Sequence, residues 1–267
     1  MNIMYGTAWK EDSTKALVIS AILAGFRAID TANQRKHYHE AAVGDALEYL
    51  ISKNKIIRDE VFIQTKFTHI NGQDHRLPYN PDADHRTQLK ESFQRSLAHL
   101  KVNKIDSYIL HGPMVSIGIS DEDWECWREM EALVDDQRVG AIGISNVSID
   151  QLKILHEGAK IKPRFVQNRC FATQGWDKAV REFCNKNSIT YQGFSLLTAN
   201  QFVLPHMSGM AKKYKKTPEQ IIFRFSQQLG ILPLTGTTNT NHMAQDLRLT
   251  FDLSDNEVQA IEQMAIQ

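Results

Sequence analysis

The feature that most constrains this chain is an alternation of two periodicities, a short apolar run and then a helical pattern, repeated along its whole length. Runs with strand character fall at 3–7, 27–30, 61–66, 105–111, 141–145, 165–168, 190–195 and 231–235. Helical patterns follow at 13–24, 40–52, 84–100, 122–136, 149–157, 176–187, 218–229 and 255–265. Near-continuous apolar strands separated by helices are the mark of parallel sheets covered on both faces. Eight such units in 267 residues, with no Gly/Ser/Pro linker between them, imply one closed (β/α)8 (TIM) barrel rather than an open doubly wound sheet. The expectation is a single domain spanning 1–267.

Start signals support several helices. Thr217-Pro218-Glu219-Gln220, Ser148-Ile149-Asp150-Gln151 and Ser254-Asp255-Asn256-Glu257 each read as a capping hydroxyl with a Gln or Glu at the reciprocal position. These boxes satisfy orphan amides and carry no chemistry.

Lys plus Arg and Asp plus Glu are both 31, so no overall field draws the chain to nucleic acid or to an acidic membrane surface, and function must come from a local site. Cys126, Cys170 and Cys184 show neither CxxC spacing nor an even count, which suits a reducing cytosol and small buried hydrophobes. The start lacks a basic n-region with a long apolar h-region, and no stretch approaches the roughly 18 apolar residues of a membrane span. A cytoplasmic protein is expected, monomeric or weakly homo-oligomeric.

In a parallel α/β protein, chemistry is usually placed just past the carboxyl ends of the strands. Asp30 ends the second apolar run and opens a polar stretch within 25–44 that is dense in ionisable groups, Lys66 ends VFIQTK, and His111 ends IDSYILH. Taken singly, each has a plainer reading: Asp30 as a turn cap, Lys66 as a snorkelling lysine, His111 as a hydrogen-bonded core histidine. Three such groups on one rim would converge at the mouth of the barrel. Histidines are dense from 37 to 85, but no HExxH or cysteine partner accompanies them, so no metal is expected. No GxGxxG follows an early strand, which argues against an ordinary dinucleotide fold. Any nucleotide phosphate would sit near the last two strands.

GFRAIDTA followed by Glu40-x-x-Val43-Gly44, RVGAIGISN at 138–146 and ILHGP at 109–113 together resemble the signatures of the aldo-keto reductase family, in order and over nearly the whole chain. The resemblance implies a barrel that binds NADPH, with NADH as the second candidate, and reduces small-molecule carbonyls to alcohols. It also implies four residues acting together: Asp30, Lys66, His111 and a tyrosine. The tyrosine segment departs from the family. Seven residues rather than five separate the DTA segment from Glu40, which puts His37 three residues before that glutamate and Tyr38 one step later. Tyr38 is the preferred proton donor, because a phenol of pKa about 10 stays protonated at neutral pH and a neighbouring ammonium would lower that value. A histidine donor at 37 would make the rate fall above about pH 6.5. An altered tyrosine segment also admits a cofactor-binding regulatory barrel with little turnover, and a barrel lyase or isomerase without nicotinamide is a further rival.

The same resemblance implies cofactor contacts from Gly6, Thr7, Ala8 and Asp30, from Ser145, Asn146 and Gln167 to the carboxamide, and from Phe194, Ser195 and Leu197. Phe194 takes the place of the aromatic that stacks on the nicotinamide. At the adenosine end the implied contacts are Gly236, Thr237 and Thr238, with the start of a helix at 241–247, followed by His242, Gln245 and Asp246. His242 stands where the family has an arginine for the 2′-phosphate. Trp9, His37, His111 and Trp176 are the expected substrate walls, and the shortness of the chain after its last helix implies an open mouth and broad carbonyl substrates.

Overall fold

In the computed structural model, which describes residues 1–264, eight parallel strands close into a ring in sequence order, β1 pairing with both β2 and β8. The strands are β1 (Met4–Gly6), β2 (Ala28–Asp30), β3 (Phe62–Phe67), β4 (Ile105–Leu110), β5 (Val139–Ser145), β6 (Phe165–Arg169), β7 (Thr190–Phe194) and β8 (Ile231–Thr235). The helices are α1 (Thr14–Ala24), α2 (Glu40–Ser52), α3 (His85–Leu100), α4 (Asp121–Asp135), α5 (Ile149–Gly158), α6 (Lys178–Lys186), α7 (Ser208–Tyr214), α8 (Pro218–Gln228), α9 (Thr240–Asp246) and α10 (Asp255–Gln263). The barrel expected from the sequence is thus found. Helix α7 was not expected, α6 begins two residues later than read, and the last helix is described to Gln263, with Ala265 outside the described residues.

Side chains alternate across each strand, so one set faces the helices and the other fills the barrel. Tyr5, Ile29, Ile63, Tyr108, Ile142, Val166 and Tyr191 belong to the main apolar cluster shared with the helices. Met4, Ala28, Leu232 and Leu234 form a smaller cluster with Phe62 and Phe194. The inward positions that follow on β2, β3 and β6 are polar, Asp30, Gln64, Lys66 and Gln167, as is Gln192 of β7. On β2, β3 and β6 the barrel therefore changes from apolar to polar toward its carboxyl end, while Phe194 and Leu234 keep the ends of β7 and β8 apolar.

Local chemistry fixes the elements that carry this rim. The three expected capping boxes form at Ser148, Thr217 and Ser254, and a fourth forms at Ser120 with Asp123. Gly44 allows α2 to lie against the end of α3: an added Cβ would stand 1.9 Å from the His99 carbonyl oxygen. Glu40, the first residue of α2, is buried and accepts hydrogen bonds from Thr65 Oγ1 of β3 and pairs with His99 Nδ1 of α3 at 2.9 Å. That carboxylate anchors the end of the loop leading out of β2.

Candidate active site

Asp30 and Lys66 project from adjacent strands, the β2–β3 register placing Asp30 beside Gln64. Lys66 Nζ donates to both carboxylate oxygens of Asp30, at 2.8 and 2.7 Å, and to the Thr31 carbonyl at 2.9 Å. All three ammonium protons are thereby engaged. Asp30 Oδ1 also accepts from Gln64 Nε2 at 2.7 Å and Gln167 Nε2 at 3.0 Å, and Gln192 Oε1 accepts from both glutamines. A buried ion pair survives only when its remaining lone pairs and protons are satisfied, and this network satisfies them. Burial pushes the Lys66 ammonium pKa down, and the Asp30 carboxylate opposes that shift.

The longer loop after β2 decides which ring reaches this pair. The Gln34 carbonyl accepts from the amides of His37 (3.2 Å) and Tyr38 (3.0 Å), closing a turn just before the anchored Glu40. Tyr38 is carried inward: Lys66 Nζ lies 5.2 Å from its ring centroid, and the His111 ring meets it edge-on at 5.9 Å. His37 is turned onto Trp9, with ring centroids 3.9 Å apart, and its carbonyl accepts from the Trp9 amide at 2.7 Å. The pKa of Tyr38 is raised, by burial first and by the Asp30 carboxylate second. This corrects the expectation that Lys66 lowers it. The ammonium's protons are spent on Asp30 and Thr31, so burial dominates and the phenol stays protonated.

His111 is held through a residue the sequence did not single out. Its Nδ1 shares a hydrogen bond of 2.7 Å with Thr68 Oγ1, one residue past β3. Burial, then Lys66 and His37, drive the imidazole pKa well below 6.5, so the ring is neutral at pH 7 and carries one proton. The Thr68 hydroxyl engages no other acceptor among the described residues. When that hydroxyl donates to Nδ1, the ring proton lies on Nε2.

From this cluster a cavity of about 850 Å³ runs to the loop after β8. Asp30, Tyr38 and His111 line one end, with Trp9 and His37 at the mouth. Gly6, Ala8, Ser145, Asn146, Gln167, Phe194, Ser195 and Leu197 line the middle, and Gly236, Thr237, Thr238, His242, Gln245 and Asp246 the far end. Lys66 stands behind the wall, fully buried. Two expectations are corrected. Thr7 is buried with its hydroxyl donating to the Asp30 carbonyl at 2.9 Å, outside the cavity. Trp176 is also fully buried: it packs on Phe225 at 5.0 Å, and its Nε1 donates to the Ile261 carbonyl, so it is no substrate wall.

At the far end, Asn239 Oδ1 accepts from the amides of Asn241 (2.8 Å) and His242 (3.3 Å). Two of the opening amides of the seven-residue α9 are thus already used within the chain. Asp246 is buried, accepts from Thr235 Oγ1 at 2.7 Å, and has its pKa pushed up to about 6 by burial. Lys10, unremarked in the sequence, reaches across from the end of β1 to donate to the Gly236 carbonyl at 2.6 Å, and burial lowers its pKa to about 8. The signal for Lys10 was its place directly after GTAW. Arg169 was also missed, although strand alternation puts it on the same side as Gln167.

The middle of the cavity offers acceptors to the N–H groups of a primary amide. Gln167 Nε2 is engaged by Asp30 and Gln192, and Asn146 Nδ2 donates to the His111 carbonyl (2.8 Å) and Ser145 Oγ (3.1 Å). Among the described residues the amide oxygens of Gln167 and Asn146 have no protein donor, and both residues border the cavity near Phe194. Two free acceptors beside an aromatic ring fit a nicotinamide carboxamide. Of the dense histidines of 37–85, His37 lies on Trp9, whereas His69 meets Asp123 at 3.0 Å and the ring of His85 edge-on at 5.9 Å. Among the described residues no three His, Cys, Asp or Glu side chains gather as a metal site. The three cysteines are buried and unpaired, and no described helix is long and apolar enough to cross a membrane.

Comparison with known proteins agrees with this geometry. The sequence profile of the Aldo/keto reductase family matches residues 2–204. The chain is 27% identical over 247 residues to a glyoxal reductase of Bacillus subtilis (strain 168), covering 92% of this chain and 81% of that protein. Among solved structures, an aldo-keto reductase from a Medee basin deep-sea metagenome library superposes with a TM-score of 0.82 at 26% identity, covering 100% of this chain and 92% of that one. A Bombyx mori aldo-keto reductase in complex with NADP superposes with a TM-score of 0.82 at 25% identity, covering 98% and 88%.

Proposed function

The chain belongs to the aldo/keto reductase family, and from that premise we propose that it reduces aldehydes or ketones to alcohols with NADPH, Tyr38 giving the proton. Bound in the cavity, the reduced nicotinamide supplies a hydride to the carbonyl carbon. The chain's own residues do the rest. Gln167 and Asn146 offer acceptors to the carboxamide and Phe194 offers its face, which fixes the ring relative to the rim. Tyr38 donates a proton to the oxygen on which charge develops, and the Nε2–H of His111 holds that oxygen in place. Lys66, held in place by Asp30, keeps an ammonium beside the phenol ring without giving up a proton. Thr68 keeps the His111 proton on the cavity side. Trp9 and His37 form the outer wall.

The observation that carries this reading is the position of Tyr38, between Lys66 and His111, while His37 is turned away to Trp9. NADPH is favoured over NADH because Lys10 places an amine at the far end and because the Bombyx mori relative is complexed with NADP. The test is oxidation of NADPH, followed at its absorbance, against a panel of aldehydes and ketones that includes glyoxal. Turnover with any of them supports the reading. NADPH binding without oxidation of any carbonyl would instead favour a cofactor-binding barrel with little activity, the reading that full commitment of the Lys66 ammonium leaves open.

A further inference from the structure

Arg169 ends β6 with an exposed side chain whose guanidinium lies against two rings, 5.4 Å from the centroid of Phe194 and 5.9 Å from that of Phe171. It borders two recesses, the cavity that holds Tyr38 and His111 and a groove over the loops after β4, β5 and β6. Among the described residues it forms no ion pair, unlike Arg181, which meets Glu262 at 2.6 Å. None of the acids lining the two recesses pairs with it. Asp30 is spent on Lys66, Asp246 accepts from Thr235 and Asp177 from Asn168 and Tyr191, while Glu219 lies in the first turn of α8. The mouth therefore presents a guanidinium positioned by aromatic stacking with its donors unspent. A planar fork of this kind matches a carboxylate, which it can grip with two parallel hydrogen bonds.

Resting on the reductase reading above, we propose that Arg169 anchors a carboxylate on the carbonyl substrate. In a ring of eight strands β6 lies opposite β2, so Arg169 faces the Tyr38 segment across the mouth. The preferred substrates are accordingly aldehyde or keto acids whose carboxylate is several bonds from the reacting carbonyl. The cofactor's phosphates are a different anion, and their expected place is the far end of the cavity, around Gly236 and Lys10.

The test is a calorimetric titration of the full chain with 4-acetylbenzoate and with its methyl ester, with and without saturating NADP, at low and moderate salt. The wild type is expected to bind the acid about tenfold more tightly than the ester, a preference that shrinks as salt rises. Arg169→Gln is expected to bind the two within about twofold of each other while keeping its affinity for NADP, which also reports that it is folded. Equal binding of acid and ester by the wild type, binding of neither, or a preference that survives Arg169→Gln each overturns the proposal. So does a loss of NADP affinity in Arg169→Gln with the acid preference intact, which would assign the guanidinium to the cofactor. The acid preference without oxidation of NADPH by any carbonyl supports the anchor and removes the reductase reading, so the two fail separately.

Discussion

The two ends of the long cavity are built on opposite principles. At the β2–β3 end every charge is committed: Lys66 spends three protons on Asp30 and Thr31, and Asp30 also takes amide protons from Gln64 and Gln167. At the β8 end the groups are looser. His242 is exposed, Lys10 holds a single carbonyl, and Asp246 is a buried acid with one hydroxyl donor. A rigid, fully bonded cluster suits a site that must stabilise developing charge without reorganising. A sparsely bonded one suits recognition, where a single substitution can retune affinity.

Three variants sharpen or break that contrast. Lys66→Met leaves the Asp30 carboxylate buried and unpaired, with an expected loss of about 3–5 kcal/mol of stability in urea unfolding. A loss below about 1 kcal/mol would mean that the cluster is not the committed network described. Asp246→Asn acts in the other direction. The folded pKa of about 6 lies above the ordinary carboxylate value, so the wild-type side chain favours folding most at low pH and loses that contribution as pH rises through 6. The variant is therefore expected to be more stable than wild type at pH 8, by on the order of 2 kcal/mol, and to show little difference near pH 4. Equal effects at both pH values would contradict the burial argument. The smallest expected effect is that of His242→Arg, which restores a guanidinium at the exposed rim. NADPH binding should tighten up to about tenfold with NADH binding unchanged, as read by fluorescence titration. No change would mean that this end is not where the 2′-phosphate lies.

Much of the fold and part of the site was legible in the sequence, for identifiable reasons. The alternation of apolar runs with helical patterns encodes the barrel locally, and Asp30, Lys66 and His111 each mark the place where an apolar strand gives out. What was not legible depends on contacts remote in the chain. The bond between Thr68 and His111 spans 43 residues and has no local signature. A tryptophan in the segment after β6 reads as a pocket wall until Phe225 and the Ile261 carbonyl are seen to bury Trp176. Thr7 follows Gly6 on β1, and strand alternation alone would have turned it away from the cavity. The choice between His37 and Tyr38 could not be made from spacing. Which of the two rings lies beside Lys66 depends on the turn on the Gln34 carbonyl and on Glu40, whose partners Thr65 and His99 lie 25 and 59 residues away.

The central claim is that the ring brought between Lys66 and His111, and not the one stacked on Trp9, gives the proton. The most direct test is single-turnover NADPH oxidation by Tyr38→Phe and His37→Ala under cofactor saturation, with an aldehyde that the wild type reduces. The account predicts that Tyr38→Phe slows the step by about 10²–10⁴, whereas His37→Ala stays within about threefold of wild type. A Tyr38→Phe enzyme as fast as wild type, with His37→Ala inactive, would contradict it.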